Sequence, residues 1–156
     1  MFLGGEALIR RVRAHHGRVL LNLAPALPID PALLGEVDLV IANEGEAAAL
    51  GPRPAQLTAR LRQGLVITRG ATGSVALLRD GSRIETPALP IEPRDTTGAG
   101  DTFVGVLAAA LDLGSALEIA LRRATAAAGL ACLGQGAQTA MPDSAAIDRA
   151  VSRLSS

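Results

Sequence analysis

The chain has 156 residues, a length that suits a single domain over 1–156. Hydrophobic residues make up 49% and charged residues 19%, which is typical of a globular protein and excludes a disordered one. Basic and acidic residues number 15 each, and Trp and Tyr are absent, so neither nucleic acid nor an anionic membrane is favoured as a partner.

Cysteine usage and hydropathy predict the compartment. Cys132 is the only cysteine, no signal peptide is visible, and no apolar stretch reaches the roughly 18 residues of a membrane span. These features indicate a cytoplasmic protein without a transmembrane helix.

The first half of the chain alternates helical and extended patterns. Residues 6–16 are predicted to form a helix that Gly17 ends. Buried parallel strands are expected where apolar residues run with little alternation, and short helices between them. The strands are 18–21, 38–42 and 65–68, and the helices are 44–50 and 54–63.

The second half begins with a hairpin and then becomes helical. Segments 74–79 and 82–86 are predicted to pair around Asp80-Gly81. Helices follow over 99–112, from Leu117 past Ala128, and over 144–153. The order of elements predicts an α/β fold with a mainly parallel sheet and helices on both faces.

The segment 95–103, DTTGAGDTF, carries the most chemical information. Gly98 and Gly100 permit unusual dihedrals, and the helix that starts there presents free N–H groups and its positive dipole end. This is an anion site, and Asp101 lies beside it in the first turn. A carboxylate there makes sense if it takes a proton from an attacking hydroxyl while the amides stabilise a phosphoryl group. The alternative is an acidic residue that merely caps a helix.

The same segment resembles the D-T-x-G-A-G-D signature of the ribokinase/PfkB family of carbohydrate kinases. The resemblance implies a three-layer, Rossmann-like ribokinase fold and ATP-dependent transfer of phosphate to a primary hydroxyl of a sugar. It implies that Asp101 is the catalytic base and that the amides of Gly98, Ala99 and Gly100 form the anion hole.

Other segments resemble family motifs that bind the nucleotide. Asn43 and Glu46 match N-x-x-E, which organises Mg²⁺ through water, although the pair also reads as a helix capping box. Thr68, Gly70 and Gly73 match a T-x-G-x-x-G loop that contacts ATP, although the glycines can simply turn the chain. By the same resemblance, Thr125 lies near the adenine.

The resemblance also implies a monovalent cation, K⁺, beside the anion hole. Ala140 stands where ribokinases commonly have a hydroxyl, which puts K⁺ activation in question. The implied ligands are Asp95 and the carbonyls of Thr97, Ala131, Gly134 and Gly136.

The resemblance covers about Asn22 to Pro142, which corresponds to the second half of the family pattern. The sugar-binding half, with its Gly-Gly signature, sugar-gripping Asp and lid, is not visible, so we expect a truncated chain that is weakly active or inactive alone. Three alternatives stay open: a non-catalytic ATP or ADP binder, half of a split kinase completed by an N-terminal half, and a fructokinase or nucleoside kinase. A homodimer is also compatible with the sequence, and the segment 22–26, NLAPA, favours ribokinase modestly.

Overall fold

A computed structural model describes residues 5–25, 30–50 and 54–154. They fall into two compact units. The first unit contains the described residues up to Thr68 together with Val75–Ile84, and the second contains Arg69–Ser74 and the described residues from Glu85 onward. The sequence did not indicate two compact units. The assignment of residues 1–156 to a single domain stays a prediction.

The strands form one five-stranded sheet in the order β1-β2-β3-β4-β5. Their bounds are β1 Leu20–Asn22, β2 Leu39–Asn43, β3 Gly64–Thr68, β4 Ser74–Leu78 and β5 Arg83–Thr86. β1 pairs parallel with β2, and β2 pairs parallel with β3, with Asn43 opposite Thr68 at the carboxyl ends. The predicted α/β class is therefore confirmed, and β1, β2 and β3 have the parallel arrangement predicted for most of the sheet.

Strand β4 pairs with β3 on one side and forms a hairpin with β5 on the other. Arg79 donates its N–H to the carbonyl of Gln63 at 2.8 Å, and Arg69 donates to the carbonyl of Gly73 at 2.7 Å. Gln63, before β3, pairs with Arg79, after β4, and Arg69, after β3, pairs with Gly73, before β4. The two strands are therefore antiparallel. Gly81, with φ 86°, makes the turn between β4 and β5 as the Asp-Gly signal predicted.

The helices lie close to their predicted positions. Their bounds are α1 Gly5–Ala14, α2 Glu44–Ala49, α3 Pro54–Thr58, α4 Ala99–Asp112, α5 Leu117–Ala131 and α6 Ser144–Leu154. Short 3-10 turns cover Leu34–Glu36 and Gly70–Thr72. No helix in the described residues is long and apolar enough to cross a membrane.

Each unit has its own apolar packing. In the first unit, β2 is buried from Leu39 to Ala42 and packs in a cluster with Val37, Leu61 and Leu65. In the second, α4 packs on α5, and α5 packs on α6. The buried residues on α4 and α5 are mainly aliphatic and small: Phe103, Leu107, Ala110, Leu111, Ala120, Leu121, Ala124, Ala126 and Ala127.

Two predicted helix ends were wrong. α1 stops at Ala14 because His16 takes the left-handed conformation, with φ 59°, and Gly17 then donates to the carbonyl of Val12 at 2.9 Å. α3 stops at Thr58 because the N–H groups of Arg62 and Gln63 donate to carbonyls next to β2, each at 2.9 Å. Donors used to join the sheet are not available to continue a helix.

Candidate active site

In the second unit, the segment before α4 is fixed to the loop after α5. Asp95 accepts a hydrogen bond from the N–H of Gly136 at 3.0 Å and another from the N–H of Thr97 at 2.9 Å. These hydrogen bonds favour the ionised carboxylate and lower the pKa of Asp95 to about 2. The N–H groups of Arg94 and Asp95 also donate to the carbonyl of Cys132, at 2.8 and 3.3 Å.

Gly98 sets the start of α4. It is the N-cap residue with φ 77° and ψ 1°, a left-handed conformation that side chains disfavour. A Cβ added to it would lie 2.7 Å from the Cβ of Ala137, so the close approach also requires glycine. No side chain caps the helix. The predicted turn of the Gly-Ala-Gly segment into a helix is present.

The start of α4 leaves hydrogen-bond donors available. Ala99 donates to the carbonyl of Thr96 at 3.2 Å, and Thr102 donates to that of Gly98 at 2.9 Å. In the described part of the chain, the N–H groups of Gly100 and Asp101 have no protein acceptor. Asp101 is exposed in this first turn. Two free amides and a carboxylate therefore share one helix end, where the dipole attracts negative charge.

The glycine loop between β3 and β4 is closed by backbone contacts. Gly73, with φ 94°, leaves no room for a side chain because a Cβ would overlap the carbonyl oxygen of Thr86. Gly70 has φ 51° and open space around it, so only its dihedral favours glycine. Thr68, at the end of β3 in the first unit, directs its hydroxyl to the carbonyl of Ala42 at 3.5 Å.

Thr125 lies buried in α5, with 6% of its surface exposed. Its hydroxyl shares a hydrogen bond of 2.8 Å with that of Ser74, which is 1% exposed. Sequence reasoning selected Thr125 and missed Ser74, because a serine at the start of a strand carries no signal that it pairs with a residue of a distant helix. The nucleotide-binding role of Thr125 stays a prediction.

Asn43 and Glu46 form the capping box that the sequence allowed. The side chain of Asn43 accepts from the N–H of Glu46, and that of Glu46 accepts from the N–H of Asn43, both at 2.8 Å. In the described residues the Oε1 atom of Glu46 keeps its lone pairs for another partner. Among the described residues, no group of three or more His, Cys, Asp or Glu is placed to hold a metal ion. The oxygen donors suit Mg²⁺ held through water rather than in an all-protein cage.

The residues proposed for a monovalent cation are partly brought together. Hydrogen bonds join Asp95 to Thr97 and Gly136, and the N–H of Gly134 lies 3.4 Å from the carbonyl oxygen of Ala131. A Cβ on Gly134 would lie 2.6 Å from the Cβ of Ala140. A carboxylate can accept more than two hydrogen bonds, so Asp95 retains capacity for a cation.

Comparison with known proteins identifies the family. Residues 5–144 match the family described as pfkB family carbohydrate kinase, so the chain belongs to that family. It is 36% identical over 139 residues to a ribokinase from Bacillus subtilis, which covers 88% of this chain and 47% of the relative. The chain spans about half the length of the curated relatives it matches.

Solved structures share the fold. The structure of Arabidopsis thaliana ribokinase complexed with ribose and ATP matches with a TM-score of 0.86 and 28% identity, covering 92% of this chain and 50% of that one. A nucleoside kinase of Burkholderia thailandensis in complex with inosine matches with a TM-score of 0.81 and 28% identity, covering 93% of this chain and 50% of that one. The ribokinase fold predicted from the signature is confirmed.

Proposed function

We propose that this chain is the nucleotide-binding and phosphoryl-transfer part of an ATP-dependent sugar kinase. The observation that carries the proposal is the start of α4, where the free N–H groups of Gly100 and Asp101 stand beside the exposed Asp101 carboxylate. Membership of a carbohydrate kinase family supports it.

In the proposed reaction, the oxygen of a primary sugar hydroxyl attacks the γ-phosphorus of ATP. The new P–O bond forms as the bond to the β-phosphate oxygen breaks, and ADP leaves. Asp101 accepts the hydroxyl proton, and the amides of Gly98, Gly100 and Asp101 hold the negative charge of the transferring group. The amide of Ala99, which the family resemblance also assigns to the anion hole, donates to the carbonyl of Thr96 here. A carboxylate repels phosphate, but a proton acceptor must lie close to the attacking hydroxyl. This requirement accounts for an acidic residue at an anion-binding helix end.

Nucleotide contacts are proposed for the remaining motifs. Mg²⁺ neutralises phosphate charge in such reactions. Glu46 would hold it through water, with Asn43 fixing the orientation of Glu46 through the capping box. Thr68, Gly70, Gly73 and Thr125 are proposed to contact ATP. K⁺ is proposed to bind beside the anion hole and to stabilise its conformation. Its ligands would be the carboxylate of Asp95 and the carbonyls of Thr97, Ala131, Gly134 and Gly136.

The acceptor class rests on the relatives. Ribose is favoured by the Bacillus ribokinase and by the ribose complex of the plant ribokinase. A nucleoside is the second candidate because the nucleoside kinase in complex with inosine is 28% identical to this chain, the same identity as that of the plant ribokinase. Because the chain spans about half of these relatives, it is proposed to retain ATP binding while acceptor phosphorylation is weak or absent without a complementing N-terminal half.

Calorimetry with ATP and Mg²⁺ tests the proposal, with phosphorylation of ribose, fructose and inosine assayed on the same sample. ATP binding without turnover supports a nucleotide-binding part that does not phosphorylate an acceptor alone. ATP binding with turnover identifies the acceptor. Failure to bind ATP contradicts the proposal if circular dichroism shows a folded chain.

The role of Asp101 is tested by Asp101→Asn in whichever assembly is active. Turnover should fall by about 10²–10⁴-fold with ATP affinity nearly unchanged. Asp112→Asn is the matched control, because Asp112 is an exposed residue at the other end of the same helix. Equal turnover in both variants would remove Asp101 as the base.

A further inference from the structure

A polar cavity lies in the first unit, at the amino ends of the parallel strands. It has a volume of about 490 Å³ and is lined by Arg18, Gly35, Asp38, Arg62, Gln63 and Arg79. Asp38 and Gln63 directly precede β2 and β3, whereas Asn43 and Thr68 end these strands. The cavity is therefore at the opposite edge of the sheet from the proposed Mg²⁺ residues.

The one carboxylate that lines the cavity is already neutralised. Asp38 forms an ion pair with Arg13 and accepts a hydrogen bond of 2.7 Å from the N–H of Val19. Arg13 uses its other guanidinium N–H groups on the carbonyls of Glu36 and Gly17, at 2.7 and 2.8 Å. The Arg13–Asp38 pair thus belongs to the wall of the cavity and does not repel an anion strongly.

The remaining charges at the cavity are positive. Arg18, Arg62 and Arg79 all line it and are all exposed. Each guanidinium has five N–H donors, and the Nε of Arg62 is 3.5 Å from the Oδ1 of Asp38, a long contact that leaves most of its donors available. Glu36 is a second carboxylate close to this wall, with a contact of 3.9 Å to Arg13.

We propose that this cavity binds a small, multiply charged oxyanion of the phosphate class. Arg62 and Arg79 come from separate segments and are both exposed at the cavity, and a tetrahedral oxyanion can accept from both guanidiniums while it carries more charge than a monocarboxylate. The polar lining disfavours an apolar ligand. The proposal depends on the first unit alone and does not rest on the proposed kinase activity.

Phosphate titration of the ¹⁵N-labelled chain tests the site, at constant ionic strength against chloride. We expect the amide signals of Gly35 and Gln63 to shift with a single saturating curve. These amides report this cavity, whereas the amides of Gly100 and Asp101 report the start of α4, so the two anion sites are distinguished in one experiment. Unshifted signals from Gly35 and Gln63 at saturating phosphate would overturn the proposal.

The double variant Arg62→Gln with Arg79→Gln should weaken phosphate binding measured at these two amides by at least tenfold. Arg11→Gln is the control, because Arg11 is an exposed arginine of α1 that does not line the cavity, and its effect should stay within twofold. An equal loss in the control would show a general charge effect and would contradict a site. Thermal melts without phosphate confirm that both variants fold.

Discussion

The carboxylate of Asp95 accepts a hydrogen bond of 3.0 Å from the amide of Gly136, and so joins the segment before α4 to the loop after α5. Both partners belong to the proposed cation site. The bond therefore gives Asp95 a structural role that is measurable without any cation or nucleotide.

The titration of Asp95 provides the first prediction. Its pKa of about 2 lies below the ordinary value of 3.8, so the contribution to stability is complete above that value and is lost as the pH falls through about 2. The carboxyl ¹³C chemical shift should show this titration. Asp95→Asn should remove hydrogen-exchange protection from Gly136, whereas Asp112→Asn should not. A midpoint near 4, or unchanged protection, would contradict the assigned contact.

The buried hydroxyl pair provides the second prediction. Ser74→Ala and Thr125→Val should each lower the free energy of unfolding by about 1–3 kcal/mol, because each leaves the other buried hydroxyl without its partner. The double variant should cost less than the sum of the two, since no unpaired hydroxyl then remains. Urea denaturation of all four chains measures the coupling, and strictly additive effects would mean that the pair does not interact.

The two glycines at the start of α4 form a matched pair for the third prediction. Gly98→Ala should lower the free energy of unfolding by about 2 kcal/mol, because it adds a left-handed alanine and a contact with Ala137. Gly100→Ala meets nothing within 4 Å and should be neutral or stabilising by up to about 1 kcal/mol. Denaturation midpoints compare them, and equal losses would disprove the conformational requirement at Gly98.

The capping box of α2 separates structure from metal binding in the fourth prediction. Asn43→Ala should cost about 1 kcal/mol of stability because it removes the cap. Glu46→Gln keeps the capping hydrogen bonds, so stability should be nearly unchanged, while the Mg²⁺ concentration needed for ATP binding should rise. Calorimetry at several Mg²⁺ concentrations measures this. An unchanged Mg²⁺ requirement would leave Glu46 as a capping residue only.

The periodicity of the sequence predicted much of the fold. The predicted bounds of α4 match the structure, and the hairpin at Gly81 is where the Asp-Gly signal placed it. Local patterns sufficed there because amphipathic spacing and turn chemistry act over a few residues. They failed at Thr58 and His16, where backbone groups bond to other segments or take a left-handed conformation.

The candidate site likewise contains features that the local sequence predicts and features that it does not. The donors at Gly100 and Asp101 follow from a short glycine motif at a helix start, which a sequence can reveal. The partnership of Ser74 with Thr125 and that of Asp95 with Gly136 depend on residues 51 and 41 positions apart, and nothing in either local sequence specifies the partner. Likewise, the arginine-lined cavity is assembled from segments that do not resemble each other.

The packing of α4 against α5 has a consequence for how this protein can change. Several buried positions there are alanines, among them Ala110, Ala120, Ala124 and Ala127. An alanine has little side chain to lose, while any larger residue must force the surrounding structure apart. Substitution by a larger residue should therefore lower stability most in this packing, whereas in a leucine-rich core truncation of the side chain lowers it most. Sequence drift at these positions should be confined to glycine, serine and alanine, while bulky residues are excluded.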